Sequence, residues 1–164
     1  MRVVDLGCWP GGFLQVAGEI LGSRGVIVGV DRVAVEPPLK NANTIALRLE
    51  LEDPELCERV LEPLGGLRAD LVLCDAAPKL TGVRDVDRAA EERLLQAVEG
   101  LLPGLLRPGG DLLLKVLEGP EAREVVRRIG GAFGQAKTTR LAATRKGSRE
   151  SYLVARGFGP SGAG

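Results

Sequence analysis

Short apolar runs rich in β-branched residues alternate with segments of helical period along almost the whole chain, and few folds accommodate that rhythm. Val3-Val4-Asp5-Leu6 is a buried strand that ends in a Gly/Pro cluster. Phe13 to Leu21 sets Phe13, Val16, Ala17, Ile20 and Leu21 at helical spacing, and Gly22 stops the helix. Val26 to Val30 is a second strand closed by Asp31, and Thr44 to Leu51 a third, with Ile45, Leu47, Leu49 and Leu51 turned inward. Asp53-Pro54 supplies an N-cap and a first-turn proline for a helix through Leu61. The second half repeats the rhythm. A strand at Ala69 to Cys74 precedes a helix from Val86 to Leu102, a turn at Arg107-Pro108-Gly109-Gly110 and a strand at Asp111 to Leu117. A helix from Glu121 to Phe133 and strands at Ala136 to Leu141 and Ser151 to Arg156 complete it. Alternation of this kind predicts an α/β protein with a mainly parallel sheet and its ligand at the carboxyl ends of the strands. No helical pattern separates the last two strands, so they are expected as an antiparallel hairpin at one edge.

The 164 residues suit one domain, expected over 1–156, with 157–164 a Gly/Ser/Pro tail expected to be disordered. Hydrophobic residues at 45% and charged residues at 27% exclude a disordered or collagen-like chain. No apolar run approaches the ~18–20 residues of a membrane span, and Met1-Arg2 leads into a core-like segment rather than a signal peptide. Cys8, Cys57 and Cys74 form no C-x-x-C pair and read as reduced thiols of a cytoplasmic protein, expected as a monomer. Histidine is absent, which excludes Ser-His and Cys-His nucleophiles and His-ligated zinc. Any proton must therefore move through a carboxylate, lysine, tyrosine or cysteine. Net charge is zero, yet from Arg123 onward nine Lys/Arg face only Glu124 and Glu150, a local excess of +7. A basic third on a neutral chain suits a polyanion on one face; solvated surface arginines would give the same count.

Asp5-Leu6-Gly7-Cys8-Trp9-Pro10-Gly11-Gly12-Phe13 lies where the first strand turns into the first helix. Its glycines let backbone approach a ligand, and the helix start offers free N–H groups. The spacing is wrong for a dinucleotide pyrophosphate loop, and the acid Asp5 favours a cationic ligand over a phosphate. Asp31, ending the second strand, is placed to accept both hydroxyls of a ribose, a feature that NAD would share.

Asp5-Leu6-Gly7-x-x-Pro10-Gly11-Gly12-Phe13, Asp31, Cys74-Asp75-Ala76-Ala77-Pro78, Leu106-Arg107-Pro108-Gly109-Gly110 and Lys115 share their order and spacing with one family. From Val3 to Ala155 the chain resembles the FtsJ/RrmJ-type ribosomal RNA 2′-O-methyltransferases. The resemblance implies a Rossmann-like class I methyltransferase fold with a terminal antiparallel strand, and S-adenosylmethionine as cofactor. It implies that Gly7, Gly11 and Phe13 line the methionine and sugar, with Asp5, Pro10 and Gly12 completing the motif. Asp31 would take the ribose hydroxyls, Glu50 would stand near the adenine, and Asp75 beside the amino-acid moiety and sulfonium. Asp75, Lys115 and Glu150 resemble three members of the family's Lys-Asp-Lys-Glu catalytic tetrad. The implied substrate is a uridine of large-subunit ribosomal RNA, and the implied partner is ribosomal RNA or the ribosomal large subunit.

Lys115 interrupts the core run Leu112-Leu113-Leu114-Lys115-Val116-Leu117, where a lysine is expensive unless it is paired or reaches water at the strand end. Two roles for the amine are open. Burial favours a neutral base, whereas Asp75 and Glu150 favour an ammonium that orients the hydroxyl and stabilises developing alkoxide. The reading preferred here has Lys115 hold the 2′-oxygen and receive its proton late, with Asp75 and Glu150 fixing the amine. Glu150 could instead be a surface acid paired with Arg149.

The family's first tetrad lysine precedes the first strand, where this chain has only Met1 and Arg2. A late start, a working triad, or replacement by Lys79 in Ala77-Pro78-Lys79-Leu80 are the three explanations, the first preferred. Arg84, Arg88, Arg140, Arg145, Lys146 and Arg149 are candidates for phosphate contacts. With five aromatics, Trp9, Phe13, Phe133, Tyr152 and Phe158, a stacking platform for single strands is not expected. Competing functions are a methyltransferase for a small molecule or protein, a catalytically dead cofactor- or RNA-binding module, and an NAD enzyme.

Overall fold

The computed structural model describes residues 1–36, 41–117, 119–140 and 150–159. Among these, the strands are β1 (Arg2–Leu6), β2 (Val26–Asp31), β3 (Thr44–Arg48), β4 (Ala69–Cys74), β5 (Leu106–Leu117), β6 (Phe133–Thr139) and β7 (Glu150–Phe158). The helices are α1 (Gly12–Leu21), α2 (Leu56–Leu61), α3 (Arg84–Leu105) and α4 (Pro120–Gly131). The strands make one sheet in the order β3-β2-β1-β4-β5-β7-β6. β1 to β5 run parallel, and β7 lies antiparallel between β5 and β6. This is the mainly parallel α/β architecture that the alternating pattern predicts and the Rossmann-like fold that the resemblance implies, with the expected antiparallel pair at one edge.

Alternation along the strands sorts the core into two faces. Val4, Leu6, Val28, Val30, Val72, Leu112, Leu114 and Val116 form one cluster with buried residues of α2, α3 and α4. Val3, Ile27 and Leu73 pack with Leu14 of α1 on the other face. Strand order reverses between β1 and β4, whose neighbours in sequence lie on opposite sides of that pair. A crevice opens at such a switch point beyond the carboxyl ends, and here Asp5 and Asp75 flank it.

Several boundaries differ from expectation for local reasons. β3 stops at Arg48 because β2 ends at Asp31, whose carbonyl takes the Leu49 N–H at 2.9 Å. α2 begins at Leu56, since Asp53 first closes a turn. Its Oδ1 accepts the Glu55 N–H at 2.8 Å and its carbonyl the Leu56 N–H at 3.0 Å. The Arg107–Gly110 turn bulges from β5, where pairing jumps from Ala69–Leu106 to Leu71–Asp111. α3 runs through Pro103 to Leu105. β6 begins at Phe133 and β7 extends to Phe158 because these residues pair, their rings 5.2 Å apart. Gly157 and Phe158, expected in the tail, are therefore strand. Leu141 and residues 160–164 lie outside the described residues. No helix among the described residues is long and apolar enough to cross a membrane.

Candidate active site

The loop after β1 arches over the end of β2, and the Gly7 and Cys8 N–H groups donate to the Val30 carbonyl at 2.8 and 3.1 Å. Gly7 has φ 77°, and a Cβ there would collide with Ala76 in the segment after β4, so only glycine fits. Gly11 is left-handed at the start of α1, Gly12 is its exposed first residue, and Pro10 lies between them and Trp9. Phe13 is half-buried against the α1 cluster. Asp31 fastens the loop: Oδ2 accepts the Trp9 N–H at 3.0 Å and Oδ1 the Val33 N–H at 2.8 Å. Gly7, Val30, Asp31, Leu49, Glu50 and Ala76 line a cavity of ≈ 160 Å³ beside the loop. The structure thus brings Gly7, Asp31 and Glu50 together there, while Asp5 and Asp75 lie at the neighbouring strand ends.

Asp5 is fully buried, and neither carboxylate oxygen has a hydrogen-bond partner. Burial, reinforced by the negative charges of Asp75 and Asp31, pushes its carboxyl up to about 7. A buried, unpartnered acid between two further carboxylates is complementary to a positively charged ligand. The folded-state value lies above the unfolded one, so stability is undiminished below about pH 4. It is lost as pH rises toward 7, because the unfolded chain releases this proton first. Asp5→Asn is therefore expected to stabilise the ligand-free protein at pH 8 relative to pH 4.5, by roughly 2–4 kcal/mol. Denaturant midpoints at the two pH values check this, and an equal difference at both would refute it. Burial also drives the Cys8 and Cys74 thiols up to about 12, which removes both as nucleophiles at neutral pH.

The second cluster lies across the switch point. Lys115 Nζ donates to the Asp75 carbonyl at 2.6 Å and pairs with Asp75 Oδ1 at 3.1 Å. The lysine side chain is 11% exposed and that of Asp75 40%, so the pair opens to solvent on the aspartate side. Lys115 faces Tyr152 across the β5–β7 register, and the Tyr152 hydroxyl donates to Asp75 Oδ1 at 3.1 Å. Burial and the Asp75 charge push that hydroxyl up to about 12, so it serves as a donor and not as a base. Glu150 faces Leu117, two positions from both partners of the Lys115–Tyr152 pair, and so shares their sheet face.

Asp75 and Lys115 therefore meet, and Glu150 stands on the same face. Lys79 is exposed in the segment between Asp75 and α3, and among the described residues no ion pair engages it. Arg84 is exposed at the start of α3, Arg88 lies one turn on, and Arg140 is exposed just after β6. Arg145, Lys146 and Arg149 lie outside the described residues. Sequence reasoning counted Tyr152 only as an aromatic, although strand alternation from Glu150 would have put it on the same face. It also passed over Glu91, the one acid in the buried α3 stripe Glu91, Leu95, Val98, Leu102 and Leu105.

An open α/β sheet with a glycine loop after β1, an aspartate ending β2 and a lysine–aspartate pair near its switch point is of the class that binds its ligand beyond the carboxyl ends of the strands. Residues 1–158 match the family described as FtsJ-like methyltransferase. The chain is 39% identical over 158 residues to the ribosomal RNA large subunit methyltransferase E of Methanothermobacter thermautotrophicus, covering 96% of this chain and 74% of that protein. It is 40% identical over 156 residues to the protein of the same name from Cenarchaeum symbiosum, covering 95% and 77%. A ribosomal RNA methyltransferase from Plasmodium falciparum shares the fold, with TM-score 0.81 and 23% identity, over 96% of this chain and 86% of that one. The chain belongs to the FtsJ-like methyltransferase family.

Proposed function

We propose that this protein transfers a methyl group from S-adenosylmethionine to a ribose 2′-hydroxyl of large-subunit ribosomal RNA. The observation that carries the reading is the Lys115–Asp75 pair, half open to solvent, at the crevice where the glycine loop ends. The names of the relatives at 39 and 40% identity support the substrate class.

The residues present fit the cofactor. Asp5, buried without a partner and flanked by Asp31 and Asp75, complements a cationic group. Gly7, Asp31 and Glu50 would hold the nucleoside in the cavity they line. When bound, the cofactor supplies an electrophilic methyl carbon on a positively charged sulfur.

Lys115 holds the acceptor. Two of its N–H groups are engaged by the carbonyl and carboxylate of Asp75, which fixes the direction of the third. That third N–H binds the 2′-oxygen and stabilises the negative charge that grows on it as the C–O bond forms. Tyr152 restrains Asp75 by donating to Oδ1; with all three N–H groups of Lys115 engaged, the departing proton goes to Asp75 Oδ2, outside both contacts, rather than to the amine that the sequence alone suggested. With Cys8 and Cys74 held as thiols, a covalent thiolate attack on a nucleobase has no nucleophile among them.

The test is transfer of labelled methyl to large-subunit ribosomal RNA, small-subunit ribosomal RNA and DNA of matched sequence. Label on the first alone is the expected result; equal labelling of the DNA, which lacks the 2′-hydroxyl, would refute the reading. Arg84 and Arg140, exposed near the carboxyl ends of the strands, predict salt-sensitive binding. The RNA association constant is expected to fall roughly ten-fold or more between 50 and 200 mM salt. A constant indifferent to salt would remove these contacts from the account.

A further inference from the structure

Glu91 is the buried acid that the mechanism leaves unused. It lies within α3, is only 5% exposed, and its Oε1 accepts the Leu117 N–H at 2.8 Å. Its Oε2 is buried with no hydrogen-bond partner.

The location explains the bond. β4 ends at Cys74, opposite Leu114, and turns away, whereas β5 continues through Lys115 to Leu117. These last residues have β7 on one side and no parallel strand on the other. Glu91 stands in for the missing strand by taking the Leu117 N–H, while the Asp75 carbonyl takes the Lys115 amine. The helix approaches from the face that carries Leu114 and Val116, so Glu91 comes at β5 from behind the side that presents Lys115.

A neutral amide would serve a backbone clamp equally well, and a buried carboxylate with one oxygen unpartnered is costly unless a cation compensates it. Burial raises the Glu91 carboxyl, while the Leu117 N–H bond and, after it, the positive charge of Lys115 lower it. Around the lysine stand Asp75 and Cys74 from the end of β4, and Tyr152 and Glu150 from β7. On its own helix Glu91 has Arg88 one turn before it and Glu92 beside it.

We infer that Glu91 is a positioning residue for methyl transfer: its bond to Leu117 pins the end of β5, and its charge holds the Lys115 amine in place from behind the sheet. The inference rests on the reaction proposed above, but its decisive readout does not.

Glu91→Gln keeps an oxygen for the Leu117 N–H and removes only the charge. The expected result is a turnover number lowered roughly ten-fold with both Michaelis constants within about two-fold of the parent. In the ligand-free variant the side-chain nitrogen resonance of Lys115 should shift. Glu92→Gln, a change on the same helix, should leave both unchanged. An unshifted Lys115 resonance overturns the inference whatever the turnover, because Glu91 then does not act through the amine. Parental turnover also overturns it, leaving a clamp that any amide can provide. Reciprocally, in Lys115→Met the Glu91 carboxyl should titrate at higher pH than in the parent, and an unmoved midpoint overturns the coupling even if Glu91→Gln fails to fold. Were the parent to methylate no RNA, the proposed reaction would fall, while the resonance and the titration would still decide what Glu91 does.

Discussion

Replacing Lys115 by methionine is expected to reduce methyl transfer to RNA by roughly 10³-fold, with cofactor affinity within about two-fold of the parent. Methionine keeps the apolar stem and removes the amine, so the packing of β5 against β4 and β7 is retained. What disappears is the group that Asp75 grips twice, at 2.6 and 3.1 Å, and that would face the acceptor oxygen. Asp75 is 40% exposed and can be solvated once its partner is gone, so little destabilisation should accompany the loss. The split between turnover and binding is the informative part. Rates measured at saturating cofactor and RNA, with affinity from calorimetry, separate the chemical role from a structural one. A variant with more than a tenth of the parental rate would remove Lys115 from the chemistry.

Gly7→Ala is expected to act on the other half of the site. Its φ of 77° is a conformation that costs an L-residue about 1–2 kcal/mol, and the added Cβ would strike Ala76, one residue past Asp75. Relief requires the loop after β1 or the segment after β4 to move, at about 1–3 kcal/mol more. Either movement opens the cavity that Gly7, Asp31 and Glu50 line, and movement of the segment after β4 also displaces Asp75 from Lys115. Cofactor affinity should therefore fall by at least ten-fold, and transfer with it. By contrast, Gly100→Ala, at an open position within α3 with nothing within 4 Å of an added Cβ, should bind cofactor as the parent does. Equal affinity in the two variants would show that the loop does not form the cofactor site.

The sheet was legible because buried strands and helical stripes leave opposite periodicities, which is why β1, β2 and β4 fall at or within a residue of their expected limits. Ends were less legible, since they depend on partners: β3 stops where β2 stops, and β6 and β7 lengthen because Phe133 and Phe158 pair. At the site, Lys115 stood out as a cation inside an apolar run, and Asp75 as an acid ending a strand. Their contact depends on β4 and β5 being neighbours, a fact of topology that neither segment carries alone. Tyr152 was hidden for the same reason, because its partnership with Asp75 is visible only once β7 is inserted beside β5. Glu91 occupies an apolar position of an amphipathic helix, a signal present in the sequence but without meaning until the unpaired end of β5 is seen beside it. The dual use of Asp31 could not have been read at all, since its bonds to the Trp9 and Val33 backbone depend on how two loops fold back.

A methyl group on a ribose 2′-oxygen blocks the internal attack by which alkali cleaves RNA, so the position of the transferred label can be read chemically. Large-subunit ribosomal RNA labelled by the parent protein and digested with alkali should yield its label in one alkali-resistant dinucleotide, and the Lys115→Met protein should yield none. Label released in mononucleotides would mean that the methyl sits on a base, and would contradict an account built on an amine poised over a sugar hydroxyl.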